Sequence, residues 1–443
     1  MSGKQKGIAT LFVTSMLLAA TLLLVLASYK GVFYQIKRAS NELSARQHFW
    51  QAQGALECEL SAARLAPLLW QQRLGECQEL GQSQIEVTQL SHQVFSIVAK
   101  SGFATVSQTL QLATPSNPSS VQASSHLYLA NGLVVSPEPH LPLDDAEWAC
   151  SILRYRGALY LHGEVQNRGL SDIDSPYAGF GLMQSCNSKY QTELSLTTPL
   201  HLEVGTTSIQ LEQDIRYEPN LASFDSLFGV LRAQWFEVMA RREFFKIAAM
   251  PLTTSGGEML FSVQALPEPS LVSDCGERIE AALQSGENLI WVYGSCHLDN
   301  DDLFALEQAS QALGGAEQGV ILVVHGGVMS LSGDGQFYGL LYHLVEDSAA
   351  FDAQVADDWQ AMTTEQYARL ENLVAGEGSL ELDNVAYFSN GEWNVRGGLV
   401  LDTPSYWSLY AEPLTVTLDK DLLNAPLSRL VNVTWREGSW YAK

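Results

Sequence analysis

Basic residues are scarce in this chain, where 25 Lys and Arg stand against 49 Asp and Glu for a formal net charge of −24. The shortage begins after residue 50: beyond it 19 basic side chains face 48 acidic ones, while residues 1–50 hold six basic side chains and one acid, Glu42. A surface of that sign repels the phosphates of nucleic acids and of anionic lipids. We therefore expect no nucleic acid partner for the large acidic portion.

The common catalytic motifs are missing as well. The sequence contains no phosphate loop, dinucleotide glycine fingerprint, H-E-x-x-H or G-x-S-x-G. His325 and His343 end predicted strands, where a structural histidine is the more economical interpretation. The acidic run 299–302 lacks the glycine of an EF-hand loop and fits a helix start capped by Asp better than a calcium site. We expect no enzymatic activity, no catalytic residue, no cofactor and no metal.

No proline occurs before Pro67, and the stretch from Ile8 to Tyr29 carries no charged side chain. As a helix these residues rise about 33 Å, enough to cross an apolar bilayer core of roughly 30 Å. A secretory signal has a shorter apolar core and a small-residue cleavage site after it. Because Tyr29-Lys30 follows directly here, residues 8–29 are predicted to be a transmembrane helix.

Cysteines are few, and all of them follow the apolar stretch. An even number in a large exported portion is typical of disulfides formed in an oxidising compartment, so we place the bulk of the chain outside the cytoplasm. Basic residues flank the span on both sides and do not decide its orientation. Fifteen pairings are possible, with six buried free thiols as the alternative. We favour the pairs closest in sequence: Cys58 with Cys77, Cys150 with Cys186, and Cys275 with Cys296.

The helical pattern continues beyond the apolar stretch. Ile36, Leu43 and Trp50 recur every seven residues, and further apolar residues widen them into one predicted stripe: Phe33, Phe49, Leu56 and Leu60. The pattern predicts one helix of fifty or more residues that packs against its own head and against copies of itself. A plain membrane-tethering stalk has the same periodicity and remains an alternative.

The remainder of the chain predicts an α+β fold with a β-rich head. Residues 30–113 are predicted to continue the helix and to form a β-hairpin around Gly102. Residues 114–125 predict a linker, and residues 126–285 a β-rich middle region with a helix near 225–249. From 286 to 443, strands with adjacent glycines predict the rungs of a parallel β-solenoid, with a helical insert at 346–377.

The N-terminal residues resemble a known family. Lys6-Gly7, then Ile8-Ala9-Thr10-Leu11-Phe12, and an apolar helix running into 47–57 resemble the leader and first helix of type IV prepilins, above all of PilX-like minor pilins. Residues 286–345 and 378–438 resemble a C-terminal region of long PilX-like proteins. The resemblance implies that residues 1–7 are a leader, that a prepilin peptidase cuts after Gly7, and that Ile8 becomes the amino terminus. It also implies that other minor and major pilins contact an assembly helix that includes these residues: Phe12, Phe33, Ile36, Leu43 and Trp50.

Phe12 departs from the pattern of major pilins, which carry Glu at the fifth mature position. A carboxylate in lipid costs several kcal/mol unless it is paired. The resemblance links its omission to subunits that initiate or cap a fibre, in PilX-like pilins and in the tip pseudopilin of type II secretion. Phe12 is therefore consistent with a position at or near the tip of a fibre.

The function expected from the sequence is that of a minor pilin that helps to initiate a type IV pilus and presents a large head for adhesion. The expected location is the inner membrane of a Gram-negative bacterium, spanned once with a periplasmic head, and then the pilus surface. Two alternatives remain at this point: a tip pseudopilin of type II secretion, and a membrane-anchored β-helix protein that binds or acts on carbohydrate.

Overall fold

Two compact units make up the chain. The computed structural model describes residues 5–65, 70, 77, 83–91, 94–113, 120–143, 146–169, 184–253, 260, 262–313, 318–346, 349–376 and 380–442. The first unit, here the helix unit, combines Met1–Ala113 with Asn432–Lys443, and the second, the solenoid unit, is Thr114–Val431. The solenoid unit is thus an insertion in the sequence of the helix unit.

The helix unit pairs one long helix with an antiparallel sheet. Helix α1 spans 61 residues, Gln5–Leu65, or about 90 Å. The sheet order is β1-β2-β3-β22, and β23 also pairs with β3. The strand bounds are β1 Gln84–Ser91, β2 Val94–Ser101, β3 Ala104–Ala113, β22 Asn432–Trp435 and β23 Tyr441–Ala442.

Small apolar residues let the C-terminal part of α1 approach the sheet. The buried helix side chains meet an alternating buried row of the sheet, as expected of a half-buried strand. The helix contributes Ala52, Ala55, Leu56, Leu60 and Ala63, and the sheet Ile97, Ala99, Val106 and Leu110. At the end of the helix, Arg64 donates from Nε to the carbonyl oxygen of Val433, 3.1 Å away.

The predicted hairpin is present as β2 and β3, joined at Gly102, whose φ of 53° favours glycine. The predicted solenoid boundary at residue 443 is wrong, however, because residues 432–443 belong to the helix unit. Strand β22 has the alternating pattern of any half-buried strand. Only the pairing of Val433 with Leu112 on β3 decides which sheet it joins.

The solenoid unit contains a stack of parallel strands, a few strands beside the stack that include antiparallel pairs, and helices around them. The strands are β4 Val121–Ala123, β5 His126–Leu129, β6 Gly132–Ser136, β7 Glu138–Pro142, β8 Glu147–Ser151, β9 Leu153–Tyr155, β10 Leu159–Asn167, β11 Ser185–Cys186, β12 Glu193–Leu202, β13 Ile215–Tyr217, β14 Phe245–Ala248, β15 Leu289–Leu298, β16 Val320–Ser332, β17 Gly335–Leu344, β18 Val385–Asn390, β19 Trp393–Asp402, β20 Trp407–Tyr410 and β21 Leu414–Thr417. The helices are α2 Ser223–Phe228, α3 Trp235–Met239, α4 Cys275–Gln284, α5 Asn300–Ala312, α6 Ala349–Gln360, α7 Thr364–Gly376 and α8 Lys420–Ser428.

The parallel strands form three ladders, which we call the first, second and third faces. The first face runs β14-β15-β16-β17-β19-β4-β9-β13. The second face runs through the later halves of β15 and β16 to β18-β20-β5-β10. The third runs from the early halves of β17 and β19 to β21-β6-β10. Long strands change face at glycines: at Gly397 φ is 135°, and a Cβ would lie 2.4 Å from the carbonyl oxygen of Gly339.

The parallel solenoid is present but larger than predicted. Strands β4, β5, β6, β9 and β10, all from residues 121–167, belong to the same ladders as the C-terminal strands, so the predicted boundary at 285 does not separate two domains. Residues 120–125 of the predicted linker lie in the solenoid, with β4 between β19 and β9. The Ser-rich sequence fits there because its buried hydroxyls are hydrogen-bonded: Ser120 donates to the carbonyl oxygen of Ser136, 2.6 Å away, and Ser124 to Asp402 at 2.8 Å.

Helices cover two of the three faces. On the first face, α2, α3 and α8 pack against an aromatic cluster that includes Trp291 and Tyr342. The single helix predicted near 225–249 is wrong: α2 ends before Gly229, α3 is a second short helix, and Phe245–Ala248 forms the end strand β14. The predicted insert at 346–377 forms α6 and α7, and Trp359 of α6 and Leu370 of α7 belong to one buried cluster with Phe388 on the second face. The helices thus shield a parallel sheet that would otherwise expose apolar residues.

All six cysteines are paired, in the sequence-local arrangement that we favoured. The disulfides join Cys58 to Cys77, Cys150 to Cys186 and Cys275 to Cys296. Cys275 begins α4 and Cys296 lies on β15, so this bond fastens α4 to a rung.

Two buried histidines of the solenoid unit are held neutral. Nε2 of His343 lies 2.8 Å from the carbonyl oxygen of Gly327, to which the neutral ring donates. Burial lowers the pKa of His343 to about 4. Burial, reinforced by Arg232, lowers the pKa of His325 to about 3. A proton on either ring would therefore place a charge in a poorly solvated interior.

We expect the melting temperature of the solenoid unit to fall between pH 7 and pH 5. An unfolded histidine has a pKa near 6.5, so the unfolded chain takes up protons in this window while His325 and His343 do not. Their stabilising contribution is complete above that pKa and declines as the pH falls, by about 2 kcal/mol each at pH 5. Thermal unfolding followed by tryptophan fluorescence measures the change.

The variant His343→Gln provides the comparison, because glutamine keeps a donor but does not titrate. Burial raises the pKa of Glu138 and of Asp358, which stabilises the fold as the pH falls and opposes the histidines. Both carboxyl groups are present in the variant and in the parent, so their effect drops out when the changes in melting temperature of the two proteins are compared. We expect the variant to lose less melting temperature than the parent, and an equal loss would contradict a neutral His343.

Candidate functional site

The N-terminal part of α1 exposes a long run of apolar side chains. Large hydrophobic residues from Leu11 to Tyr34 are more than half exposed, Phe12 and Phe33 among them. The helix from Thr10 onward is long and apolar enough to cross a membrane. A contiguous apolar surface of this size marks a site that contacts lipid or another protein.

Hydroxyl groups within this apolar run are satisfied by the helix itself. Thr14 donates to the carbonyl oxygens of Thr10 and Leu11, each 3.0 Å away. Ser15 and Thr21 donate in the same way to Phe12 and Leu18, at 2.9 and 3.0 Å. Polar groups that bond within the segment need no water, as a bilayer interior requires.

Beyond the apolar run, α1 has two distinct sides. Residues 52, 56, 59 and 63 recur at helical spacing, and all four are buried on the sheet side. Ile36, Leu43 and Trp50 remain 62, 61 and 67% exposed. At 100° per residue these three lie within about 40° of one another and about 170° from the centre of the buried side. We call Ile36, Leu43 and Trp50 the outer stripe.

The single broad stripe predicted from the heptad spacing is therefore wrong. Leu56 and Leu60 are buried on the sheet side, and Phe49 is half-buried. Leu56 is six positions after Trp50, which corresponds to a net rotation of about 240° around the helix axis and places the two residues on different sides. The outer stripe thus contributes nothing to the core of the helix unit, and Phe33 is exposed about 80° away from it.

Two aromatic residues beside the outer stripe were missed in the sequence. Trp440 and Tyr441 are both more than half exposed. Trp440 donates from Nε1 to Oε1 of Gln53, 3.3 Å away, and Gln53 is one turn along the helix from Trp50. A Trp-Tyr pair near the end of the chain was the available signal, but only the pairing of β23 with β3 brings it to the helix.

The other proposed site residues lie at different places. Gly7 and Ile8 fall within α1, but the surroundings of their side chains lie outside the described part of the chain. The six cysteines form the three disulfides and are distributed over both units. Phe12 is exposed in the apolar run. The structure thus brings Ile36, Leu43 and Trp50 together on one surface and leaves the processing residues at the far end of the helix.

The candidate chemical residues of the head have structural partners. Asp299 caps α5, because its Oδ1 accepts from the backbone amides of Asp301 and Asp302, each 3.0 Å away. His325 packs edge-on against Trp235, with 4.2 Å between ring centroids. Among the described residues, no group of three or more His, Cys, Asp or Glu is arranged to hold a metal ion.

Comparisons with known proteins do not identify a family for this chain. No protein-family model matches the sequence, and no curated protein matches it. Among solved structures, the chain is similar to one in the crystal structure of the competence-associated pilin ComZ from Thermus thermophilus. The identity is 11% over 90% of this chain and 97% of that chain, with a TM-score of 0.19. So low a score does not establish a common fold, and the pilin interpretation rests on the residues of α1 themselves.

Proposed function

We propose that this protein is a non-enzymatic minor pilin that enters a type IV pilus at or near its tip and helps to initiate its assembly. In this proposal the chain is first held in the inner membrane of a Gram-negative bacterium with its head in the periplasm. A prepilin peptidase then cuts after Gly7, and α1 joins other minor and major pilins. The observation that carries the proposal is the outer stripe, an exposed apolar surface on the side of α1 opposite its own sheet.

The position of the outer stripe favours assembly over simple tethering. Ile36 and Trp50 lie about 10 and 30 Å beyond Tyr29 along the helix, past the residues that lipid would cover. A tether needs no large apolar side chains there. Burying each of them in contact with another helix contributes about 1.5–3 kcal/mol, which favours a protein partner alongside α1.

Phe12 supports the finer proposal of a position at the tip. A subunit that has a predecessor in the fibre can pair a carboxylate at this position with the neighbour's amino terminus. A first subunit has no such partner, and an unpaired carboxylate in lipid is unfavourable. An apolar residue at position 12 removes that cost for a subunit that starts the fibre.

The variant Gly7→Val tests processing. We expect it to retain Met1 and to be absent from purified fibres, because the peptidase cuts after the residue at this position. Mass spectrometry of the amino terminus and blotting of fibre fractions measure both. Gly31→Val is the matched control, since a Cβ at Gly31 meets no other atom within 4 Å. Normal fibre incorporation of the Gly7 variant would contradict the proposed function.

The double variant Leu43→Gln with Trp50→Gln tests the outer stripe. Both residues are exposed, so the melting temperature should stay the same while incorporation into fibres falls about ten-fold or more, as expected from losing two apolar contacts. The ratio of this protein to major pilin in purified fibres is the measurement. Leu90→Gln is the control, because Leu90 is equally exposed but lies on β1. Equal incorporation of the double variant and the control would remove the assembly role from this stripe.

The variant Phe12→Glu tests the position at the tip, with Phe12→Leu as its apolar control. We expect fewer fibres per cell with Glu, because the first subunit then carries a carboxylate without a partner. Fibres are counted by electron microscopy, and gold-labelled antibody locates the head. Labelling along the fibre length, together with normal fibre numbers for the Glu variant, would contradict a tip position.

A further inference from the structure

A pocket lies at the β13 end of the solenoid unit. Strand β13 ends the first face, and the pocket is lined by residues of β7, β9, β13, the turn 188–190 and the loop between β12 and β13. The pocket is open on one side and has a volume of about 550 Å³, within the range of small-molecule sites. We call it the end pocket and define it by these lining residues: His140, Tyr155, Tyr190, Glu212, Arg216 and Tyr217.

Aromatic rings in two edge-to-face pairs line the end pocket. Tyr155 and Tyr217 have ring centroids 5.7 Å apart, and His140 and Tyr190 have centroids 6.3 Å apart. Tyr155 is buried, and burial raises its pKa to about 12, so its hydroxyl stays protonated and donates to the carbonyl oxygen of Thr206 at 3.4 Å. Each partly exposed tyrosine, Tyr190 or Tyr217, is thus oriented by a second ring.

The wall that carries Tyr190 is fixed by covalent and hydrogen bonds. Tyr190 packs against the disulfide between Cys150 and Cys186. The side-chain amide of Asn167 donates to the carbonyl oxygen of Tyr190 and to buried Asp214, each 2.9 Å away. A wall built in this way does not need to be ordered by a ligand, which favours binding.

Charges at the end pocket are balanced. Glu218 accepts from Arg154 at 2.6 Å and lies 3.4 Å from Arg216, while Glu212 adds a second carboxylate. Burial, and then Arg216, lower the pKa of His140, whose ring is neutral at pH 7 and lies 3.2 Å from the Arg216 guanidinium. The pocket therefore offers donors and acceptors without the excess charge that a polyanion would need.

Apolar side chains complete the lining of the end pocket. Leu141 on β7 lines it and is 54% exposed, and Leu211 lines it from the loop between β12 and β13. An exposed apolar side chain at a pocket is available for contact with a ligand.

We propose that the end pocket binds a neutral oligosaccharide. The apolar C–H face of a pyranose stacks on an aromatic ring, and its hydroxyls both donate and accept, as the carboxylate, guanidinium and hydroxyl groups of the lining require. The volume accommodates a short saccharide, and the balanced charge disfavours an acidic one. The inference extends the proposed function to the head, which was expected from the sequence to serve adhesion, and rests on that function only for its biological meaning, because binding does not require a fibre.

The test uses the full chain in a detergent without a sugar headgroup, lauryldimethylamine oxide. An array of neutral and acidic oligosaccharides is the probe, and isothermal titration then measures the best neutral compound. We expect binding of a neutral compound, weakened about ten-fold or more by Tyr190→Ala or Tyr217→Ala through the loss of a stacking ring. Phe304→Ala is the matched control, an exposed aromatic on α5.

Two further variants keep the test decisive if a tyrosine variant unfolds. Leu141→Ser changes a lining residue that is 54% exposed and should weaken binding with little change in the melting temperature. Tyr217→Phe retains the ring and should bind within about three-fold of the parent. No neutral binding, binding to acidic oligosaccharides alone, or equal binding by parent, Tyr217→Ala and Leu141→Ser would overturn the proposal. None of these results affects the Gly7 and outer-stripe tests, so this inference fails separately from the proposed function.

Discussion

The antiparallel pairing of β3 with β22 is the constraint on which this architecture depends. It closes the sheet of the helix unit with two strands that are neighbours in space but are separated in sequence by the whole solenoid unit. An insertion at such a point must begin and end close together. The solenoid satisfies this condition because its first rung, β4-β5-β6, stacks directly on its last, β19-β20-β21. The first and last rungs along the chain therefore lie together in the middle of the stack.

One side of α1 takes part in folding, and the opposite side is the one proposed to take part in assembly. The side of α1 that carries Ala52 and Leu56 is buried against the sheet, and the small alanines there allow the helix to approach the sheet closely. The outer stripe has no role in that core, so its apolar surface remains for a partner. Large apolar residues that stay exposed beyond the apolar run 8–29 are unfavourable for a solitary protein in water. The proposed role in a fibre gives that surface a contact.

In the solenoid unit, the outer faces of the parallel sheet are apolar and must be shielded from water. Helices α2, α3 and α8 cover the first face, and the insert α6-α7 covers the second. At the β13 end the arrangement differs, since a small disulfide-braced sheet and a loop leave a lined cavity. Rigid walls and balanced charge make that end suited to recognition.

The sequence alone predicted the features that depend on residues close to one another along the chain. The uncharged run 8–29, the hairpin at Gly102, the capping Asp299 and the insert at 346–377 all depend on short-range patterns, as does the sequence-local disulfide pairing. These features follow from helical rise, turn geometry and the nearness of residues in one segment, and the structure contains them in the places expected.

Pairing over long distances was decided only by the tertiary structure. The Ser-rich residues 120–125 have the composition of a linker, and become a rung because β19 and β9 lie on either side. Val433 and Trp440 belong to the helix unit only because their strands pair with β3. Phe49, Leu56 and Leu60 lie outside the outer stripe because the sheet packs against the other side of α1. The end pocket gathers His140, Tyr155, Tyr190 and Tyr217 from separate strands and turns. A strand's sequence fixes which of its sides is apolar, but its hydrogen-bonding edges accept any strand, so the partner is set by the stacking of the whole chain.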